Sequence, residues 1–234
     1  MNVLIACEES QAITKEFRKL GVNCFSCDIV KCSGDMPQFH IKDDCLKYIN
    51  GDCNITTEDG SNYYIDKWDL IIAHPPCTYL TVTGNRWFNI EKYGNKAIER
   101  MKERKKAIEF FLKFTNTSCK HVMIENPVGV MSTIYRKPDQ IIQPWMFGDE
   151  AEKKTCLWLK NLPLLKETEI VKPPERIKFK SGKTMPAWYA KAWKLSKEER
   201  SKIRSKTFPG IAKAIAYQYY DYIIKEEIQK CINI

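Results

Sequence analysis

Long apolar runs are missing from this sequence. No stretch approaches the roughly eighteen residues needed to cross a bilayer, and the start MNVLIACEES lacks the basic beginning and extended apolar stretch of a signal peptide. Internal repeats and low-complexity stretches are also absent. The chain has 234 residues, of which 44% are hydrophobic, enough to bury one substantial core. We therefore exclude disordered, fibrous and membrane-spanning classes and expect a cytoplasmic protein.

Histidine is scarce, with three residues, and this weakens a metal-site interpretation of the ten cysteines. Cys24 and Cys27 form a CxxC with Cys32 nearby, but the surrounding VNCFSCDIV favours a strand, in which residues three apart face opposite sides. A second pair at zinc spacing is missing. Without an export signal the thiols stay reduced. We predict no metal site and interpret the cysteines as core residues or nucleophiles.

Acidic residues are few in the segment 171–207, and the net positive charge of this segment equals that of the whole chain. Between residues 171 and 207, twelve Lys or Arg stand against three Glu, a balance equal to the chain's net charge of +9. Aromatic residues are interleaved with them. Such a surface attracts phosphate backbones, although a solvated face is the alternative. We predict nucleic-acid contacts from Arg86, Lys154, Lys178, Lys180, Trp188, Lys191 and Arg204.

Strands alternate with helices along the chain. Apolar runs predict strands at 2–7, 22–27, 68–73, 121–126, 140–148 and 154–159, a short strand-like element with a helical turn at 40–49, and a hairpin or surface excursion at 51–66. Helical spacing predicts helices at 10–21, 95–114 and 211–228, the last preceded by Pro209 and Gly210. Ser10 is expected to cap the first helix and Gly21 to end it. In the second helix, the apolar face should consist of Ile98, Met101, Ile108, Phe111 and Leu112.

This alternation predicts an α/β fold with a mostly parallel sheet that helices cover on both faces. Functional residues of such sheets gather at the carboxyl ends of the strands. Asp28, residues 74–77 and Glu125 all follow predicted strands.

Cys77 is the candidate nucleophile. It ends the stretch His74-Pro75-Pro76-Cys77 directly after a buried strand, where two prolines stiffen the backbone and hold the thiol in place. A thiolate adds to carbon 6 of a pyrimidine and later leaves, near neutral pH. Amino-group methyltransferases have Asp/Asn-Pro-Pro-aromatic at this place, and His74 and Cys77 replace both working residues. Buried packing is the alternative role for this cysteine.

Two further strand ends carry acidic residues. Glu125, in Glu125-Asn126-Pro127, can be desolvated so that it holds a proton and donates it to ring nitrogen 3. Asp28 is placed to accept ribose hydroxyls, or else caps a turn. Asp44 is placed to accept an adenine amino group, or else caps a helix.

The segments ACEESQ (6–11), AHPPCTYL (73–80), IENP (124–127) and FPGIAKAIA (208–216) resemble the cytosine-C5 DNA methyltransferases, most closely the short versions carried by bacteriophages. The resemblance covers most of the chain. It implies a Rossmann-like class I methyltransferase fold with a mostly parallel seven-stranded sheet, S-adenosylmethionine as cofactor, and DNA as partner, either a duplex with a flipped cytosine or a single strand. It further implies a host-cytoplasmic location if a phage encodes the chain.

The resemblance also implies roles for individual residues. Cys77 attacks carbon 6, Glu125 assists at nitrogen 3, and Asn126 holds the motif. The loop 78–95 corresponds to a mobile loop that closes over the flipped base, with Arg86 or Trp87 entering the vacated stack. Contacts to the cofactor are expected from Glu8, Glu9, Ser10, Asp28, Ile29, Asp44, His74 and Pro75.

Three segments depart from the family pattern. Glu8, Glu9 and Ser10 stand where the family has a glycine-rich loop, Lys153-Lys154-Thr155 stands where it has an arginine-bearing motif, and the recognition region is about forty residues long. We predict a catalytic core at 1–165, a reduced basic recognition region at 166–206, and a terminal helix at 207–234 that packs back on the core. The short recognition region keeps two alternatives open: methylation of RNA or of a free pyrimidine nucleotide, and a non-catalytic DNA-binding protein.

Overall fold

The structure is a computed structural model that describes residues 1–192, 195, 196, 199 and 205–232, except the side chain of Lys191. Two predicted contact residues, Arg204 and the side chain of Lys191, therefore lie outside the described part. The chain divides into two compact units, residues 1–141 with 155–164 and residues 142–154 with 165–234. The predicted domain limits at 165 and 206 stay a prediction.

Nine strands precede the basic segment. Five of them lie within two residues of the strands predicted at 2–7, 22–27, 68–73, 121–126 and 154–159, whereas the strand predicted at 140–148 ends at Ile142, because Pro144 begins a short 3-10 helix. The nine strands are β1 (Asn2–Ala6), β2 (Asn23–Asp28), β3 (His40–Lys42), β4 (Cys53–Thr56), β5 (Asn62–Ile65), β6 (Leu70–Ala73), β7 (His121–Pro127), β8 (Gln140–Ile142) and β9 (Thr155–Lys160). Seven of them form one sheet in the order β3-β2-β1-β6-β7-β9-β8, while β4 and β5 form a separate hairpin.

Most pairs in this sheet are parallel. β1 pairs in parallel with both β2 and β6, β2 with β3, and β6 with β7, whereas β9 runs antiparallel to β7. The predicted α/β fold with a mostly parallel seven-stranded sheet is thereby confirmed.

Four helices lie between these strands: α1 (Ala12–Lys19), α2 (Ile90–Tyr93), α3 (Asn95–Thr115) and α4 (Met131–Ile134). The end of α1 is as predicted, because Gly21 has a φ of +73° and the N–H groups of Gly21 and Val22 donate to the carbonyls of Arg18 and Phe17. The predicted start was wrong. Ser10 does not cap α1, since Gln11, with φ +56°, intervenes before the first helical residue.

The carboxylate of Glu8 caps α1 instead. It accepts the Ile13 N–H at 2.7 Å, the Thr14 N–H at 3.3 Å and the Thr14 hydroxyl at 2.7 Å. The glutamate side chain, which is longer than that of Ser10, reaches from the loop after β1 past Gln11 to the first turn of α1. It thereby satisfies donors that the helix itself leaves unpaired.

The core of the first unit lies on the sheet, where β1 and β6 are buried almost throughout. From α3, Phe111 and Phe114 are buried, and Phe111 meets the Trp158 ring of β9 edge-on at 5.2 Å. The predicted apolar face was wrong in the first half of α3, where Ile98 and Met101 are each 41% exposed. That half of the 21-residue helix contacts the loop 78–95 through Arg100 and Arg104, which donate to the carbonyls of Thr78 and Tyr79.

The described residues of the second unit include a hairpin and two α-helices. β10 (Arg176–Lys178) pairs antiparallel with β11 (Thr184–Pro186), followed by α5 (Ala187–Ala192) and α6 (Pro209–Ile232). Gly210 is needed near the start of α6 because a Cβ there would collide with the Phe147 carbonyl oxygen. Among the helices of the described residues, none has both the length and the apolar character that a membrane span requires.

Candidate active site

The strands β6 and β7 end at the same edge of the sheet. Ala73, the last residue of β6, is in register with Ile124 of β7, so the next residues along the two strands are His74 and Glu125. The His74 N–H donates to the Ala6 carbonyl at 2.9 Å. This bond ties the exit of β6 to the end of β1 as well.

The loop that carries Cys77 is fastened to the β7 segment on both sides of the thiol. Before it, Asn126, which is buried, donates from Nδ2 to the Pro75 carbonyl at 2.7 Å. After it, the Val82 N–H donates to the Val128 carbonyl at 3.2 Å and the Val130 N–H donates to the Leu80 carbonyl at 2.9 Å. The cysteine loop and the strand that carries Glu125 therefore behave as one structural piece.

Gly129 makes the second fastening possible. It forms an isolated antiparallel bridge with Thr81, and a Cβ at this position would collide with the Leu80 carbonyl oxygen. Only a residue without a side chain lets the two backbones approach so closely.

His74 and Glu125 form a side-chain pair at this edge. The Nδ1 atom of His74 lies 3.1 Å from Oε2 of Glu125, and the two side chains are 12% and 19% exposed. Nε2 of His74 is buried without a hydrogen-bond partner among the described residues. A hydrogen bond from Nδ1–H of His74 to Oε2 fits this geometry, and it holds the Glu125 side chain against the end of β6.

Burial separates Cys77 from most other thiols of the first unit. It raises the pKa of Cys24 and Cys27, and it raises the pKa of Cys119 and Cys156 to about 11 each, with nearby Glu125 adding to the effect at Cys156. Thiols with raised pKa values are poor nucleophiles near neutral pH. Cys77 is half-buried between the exposed residues Pro76 and Thr78, so it is more accessible than these four buried cysteines.

Asp28 ends β2 at the same edge of the sheet. Its Oδ1 accepts the Val30 N–H at 2.9 Å, and burial raises the pKa of its carboxyl while that bond opposes the increase. The next residues, Ile29 and Val30, are 74% and 54% exposed. A carboxylate beside exposed apolar surface fits a nucleoside, whose ribose needs acceptors and whose base needs an apolar contact.

The other predicted cofactor residues already have partners within the fold. Glu9 accepts the Ser33 hydroxyl at 2.9 Å and its carbonyl accepts the Ser33 N–H at 2.9 Å. Asp44 accepts the Leu46 N–H at 3.0 Å, as the helix-cap alternative expects. Glu8 caps α1, the Pro75 carbonyl accepts from Asn126, and Ser10 lies between Glu9 and the positive-φ residue Gln11. Their contacts with a cofactor stay predictions.

Comparison with known proteins adds a distant structural likeness. A protein assigned as a DNA modification methyltransferase, encoded within an Escherichia coli prophage, matches at a TM-score of 0.43 and 12% identity over 74% of this chain and 52% of its own. The Entamoeba histolytica methyltransferase EhMeth matches at a TM-score of 0.40 and 12% identity, over 73% of this chain and 57% of its own. This chain thus spans little more than half the length of either structure. No protein-family model matches it, and no curated protein does.

The predicted nucleic-acid residues fall in both units. In the first, Arg86 is exposed, with its guanidinium 4.7 Å from the Trp87 ring centroid. In the second, Lys154, Lys178 and Lys180 are exposed. Trp188 of the second unit is partly engaged, since its indole N–H donates to the Glu152 carbonyl at 3.2 Å and its ring meets Phe208 at 5.6 Å. Their contacts with nucleic acid stay predictions.

Sequence reasoning missed several residues that shape the site. Gln11, fully buried, donates to Ser26 Oγ and the Met36 carbonyl and accepts the Met36 N–H, which fixes the loop after β2. Arg104 donates to the Tyr79 carbonyl at 2.8 Å and to Asn85 at 2.7 Å, so it holds the loop 78–95. The spacing of Arg100 and Arg104 on one helical face was the available signal. No group of three or more possible metal ligands occurs in the described residues.

Proposed function

We propose that this protein is an S-adenosylmethionine-dependent methyltransferase that methylates carbon 5 of cytosine in DNA, with Cys77 as its nucleophile. The observation that carries the proposal is the double fastening of the Cys77 loop to the β7 segment, through Asn126 and through residues 80–82 and 128–130. This arrangement keeps a thiol and the Glu125 carboxyl at neighbouring strand ends. Attack on a pyrimidine ring needs both groups on one base.

Asp28 and Ile29 would hold the adenosine part of the cofactor, through ribose hydroxyls and apolar contact with the base. When bound, S-adenosylmethionine supplies the methyl group. Glu8 supports this edge from inside, because it fixes the start of α1 beside β1.

Cys77 and Glu125 perform the chemistry on the ring. The Cys77 thiolate bonds to carbon 6 while the Glu125 proton passes to nitrogen 3, which takes up the electron density. Carbon 5 then accepts the methyl group and loses its proton to water. The carbon–sulfur bond breaks, nitrogen 3 returns its proton to Glu125, and the thiolate is restored.

His74 orients the acid. With Nδ1 lying 3.1 Å from Oε2 of Glu125, His74 would hold the carboxyl group in one orientation while it passes its proton to the ring. Asn126 keeps the backbone before Cys77 at a fixed distance from the same strand. Both contacts lower the entropy lost when the attack geometry forms.

A labelling experiment tests the function. The protein of residues 1–234 is incubated with methyl-labelled S-adenosylmethionine and, in separate reactions, with DNA, RNA or dCMP, and the labelled nucleoside is identified by mass spectrometry. We expect 5-methylcytosine in DNA. Label on adenine, on the cytosine amino group, in RNA or in dCMP alone would contradict the proposal.

A covalent trap tests the nucleophile. DNA that contains 5-fluorocytosine cannot release the carbon 5 fluorine, so the protein should stay attached through Cys77 when the cofactor is present. Cys77→Ser should abolish the adduct and the methylation while DNA binding persists. The matched control is Cys231→Ser, at an exposed cysteine of α6, which should behave like the wild type.

A further inference from the structure

An open cavity of about 620 Å³ lies between the loop after Cys77 and the first half of α3. Three aromatic side chains of the loop and α2, Tyr79, Trp87 and Tyr93, form one side, and Lys96 and Arg100 of α3 contribute cations. The cavity is well above the size of a nucleobase and within the range of small-ligand sites. It is lined largely by apolar surface with a few charged groups.

The aromatic side is preorganised. The Trp87 and Tyr93 rings lie 5.0 Å apart at 46°, and the Tyr79 ring lies 4.9 Å from the Arg100 guanidinium. Arg100 also donates to the Thr78 carbonyl at 3.0 Å, and Arg104 donates to the Tyr79 carbonyl. The α3 arginines therefore hold the platform in place before any ligand arrives, which lowers the entropy cost of binding.

Two features of the cavity are unsatisfied within the described chain. Nε of Arg100 is buried without a hydrogen-bond partner, although buried donors are normally paired. The indole of Trp87 is 42% exposed, a costly position for a large aromatic ring. A planar ligand with acceptor atoms would cover the ring and supply acceptors to the arginine.

Charge in this segment favours an anionic polymer. Residues 78–106 contain eight Lys or Arg against three Glu. The two glutamates that line the cavity, Glu99 and Glu103, are each paired with a lysine one turn further on, at 2.8 and 2.7 Å. An aromatic platform inside a cationic segment is the usual arrangement for unstacked bases of a single strand.

We infer that this cavity binds a nucleobase of the substrate strand, the one next to the reacting cytosine. Tyr79 follows Cys77 by two residues, which span at most about 7 Å, comparable with one step of an extended nucleotide chain. Only the register, that is, the position of the bound base next to the reacting cytosine, rests on the proposed function. Binding of an unpaired base by stacking rests on the cavity itself.

Equilibrium binding without cofactor tests the stacking. A fluorescently labelled single-stranded DNA 12-mer of mixed sequence is compared with an abasic oligomer of the same length and charge. Trp87→Ala should weaken binding of the 12-mer by about 5-fold to 100-fold, because one stacking surface is lost, and should leave the abasic oligomer unchanged. Trp87→Phe should restore most of the affinity.

Tyr64→Ala is the matched control, since Tyr64 is 62% exposed on the separate β4–β5 hairpin. It should bind both oligomers like the wild type. Equal losses of Trp87→Ala for both oligomers, or no loss for either, would overturn the inference. Circular dichroism of each variant excludes unfolding as the cause.

A second measurement tests the register. In 12-mers with a single 5-fluorocytosine, an abasic site is placed at each position on either side, and the rate of adduct formation with cofactor is measured. We expect one adjacent abasic site to slow the wild type but not Trp87→Ala. Equal sensitivity of both proteins at every position overturns the register, whereas failure of all adducts counts against the proposed function and leaves the binding result intact.

Discussion

At the scale of single residues, the Glu8 side chain is a carboxyl group that is buried and that also caps a helix. It is buried, at 4% exposure, and it is also the only carboxylate that reaches the first N–H groups of α1 among the hydrogen bonds described there. We predict that Glu8→Ala lowers the free energy of unfolding by about 1–2 kcal/mol, the usual effect of losing a helix cap. Urea unfolding measures this, with Glu109→Ala at an exposed position of α3 as the control, for which a change below about 0.5 kcal/mol is expected. Equal effects in both variants would contradict the capping role.

The same residue predicts a pH dependence of stability. Burial raises the pKa of Glu8 in the folded chain above its unfolded value, so the folded state binds the proton more tightly. The stabilisation is therefore complete below the unfolded pKa of about 4.3 and is lost as the pH rises through the raised folded pKa. Glu8→Gln has no proton to lose. We expect the difference in unfolding free energy between wild type and variant to shift against the wild type as pH rises from about 4 to 8 in urea titrations; a constant difference would contradict it.

His74 has two candidate roles, orientation of the Glu125 carboxyl group and contact with the cofactor, and kinetics can distinguish them. Its contact with Glu125 predicts that His74→Asn lowers kcat by about 10-fold to 100-fold, because the acid loses its orientation, while the Kd for S-adenosylmethionine stays near the wild-type value. Methylation kinetics and calorimetric titration of the cofactor measure the two quantities separately. The opposite pattern, a weakened Kd with an unchanged kcat, would support the cofactor contact that the sequence predicts for His74.

At the scale of elements, the strands were predictable because central strands are buried on both faces and read as continuous apolar runs. β1, β6 and β7 contain such runs, whereas β2 mixes apolar residues with Asn23 and Ser26. The start of α1 was not predictable in this way, since a capping glutamate four residues ahead has no local signature. Nor was the exposure of Ile98, because whether an apolar side chain of a helix is covered depends on elements far away in sequence.

The candidate site likewise has a part that the sequence predicts and a part that it does not. Its chemistry-bearing residues, Cys77 and Glu125, could be named from the sequence, because strand ends in parallel sheets gather functional groups. The contacts that position them could not. The bond from Asn126 to Pro75 joins residues 51 positions apart, and the approach of Gly129 to Leu80 depends on the register of two loops.

The close approach of Gly129 to Leu80 leads to a prediction about the position of the loop that carries Cys77. In Gly129→Ala the added Cβ must push the Leu80 carbonyl away, which displaces the loop that carries Cys77. We expect a loss of about 1–3 kcal/mol in stability and a fall in methylation rate of about 100-fold. Thermal unfolding and single-turnover methylation measure the two effects. Thr133→Ala, exposed on α4, is the control, and wild-type activity in Gly129→Ala would show that the fastening does not matter.

At the scale of the whole molecule, the distribution of net charge along the chain is the property that bears on DNA binding. The chain carries +9, and the segment 171–207 alone accounts for this value, while the positive balance of residues 78–106 is offset by acidic residues elsewhere. Binding to DNA through lysines releases counterions, so the affinity should fall steeply with salt. Lys178 and Lys180 are exposed in the second unit and belong to the segment predicted to contact phosphates.

The salt dependence tests that assignment. For a double variant, Lys178→Gln with Lys180→Gln, we expect the slope of log K against log salt to become shallower by about 2, close to 1 for each lysine that no longer neutralises a phosphate. Lys213→Gln with Lys225→Gln removes the same charge from exposed positions of α6 and should change the slope by much less, because screening weakens charges that touch no phosphate. Fluorescence anisotropy from 50 to 300 mM salt measures both. Equal slopes for the two double variants would mean that net charge alone, and not the basic segment, draws the protein to DNA.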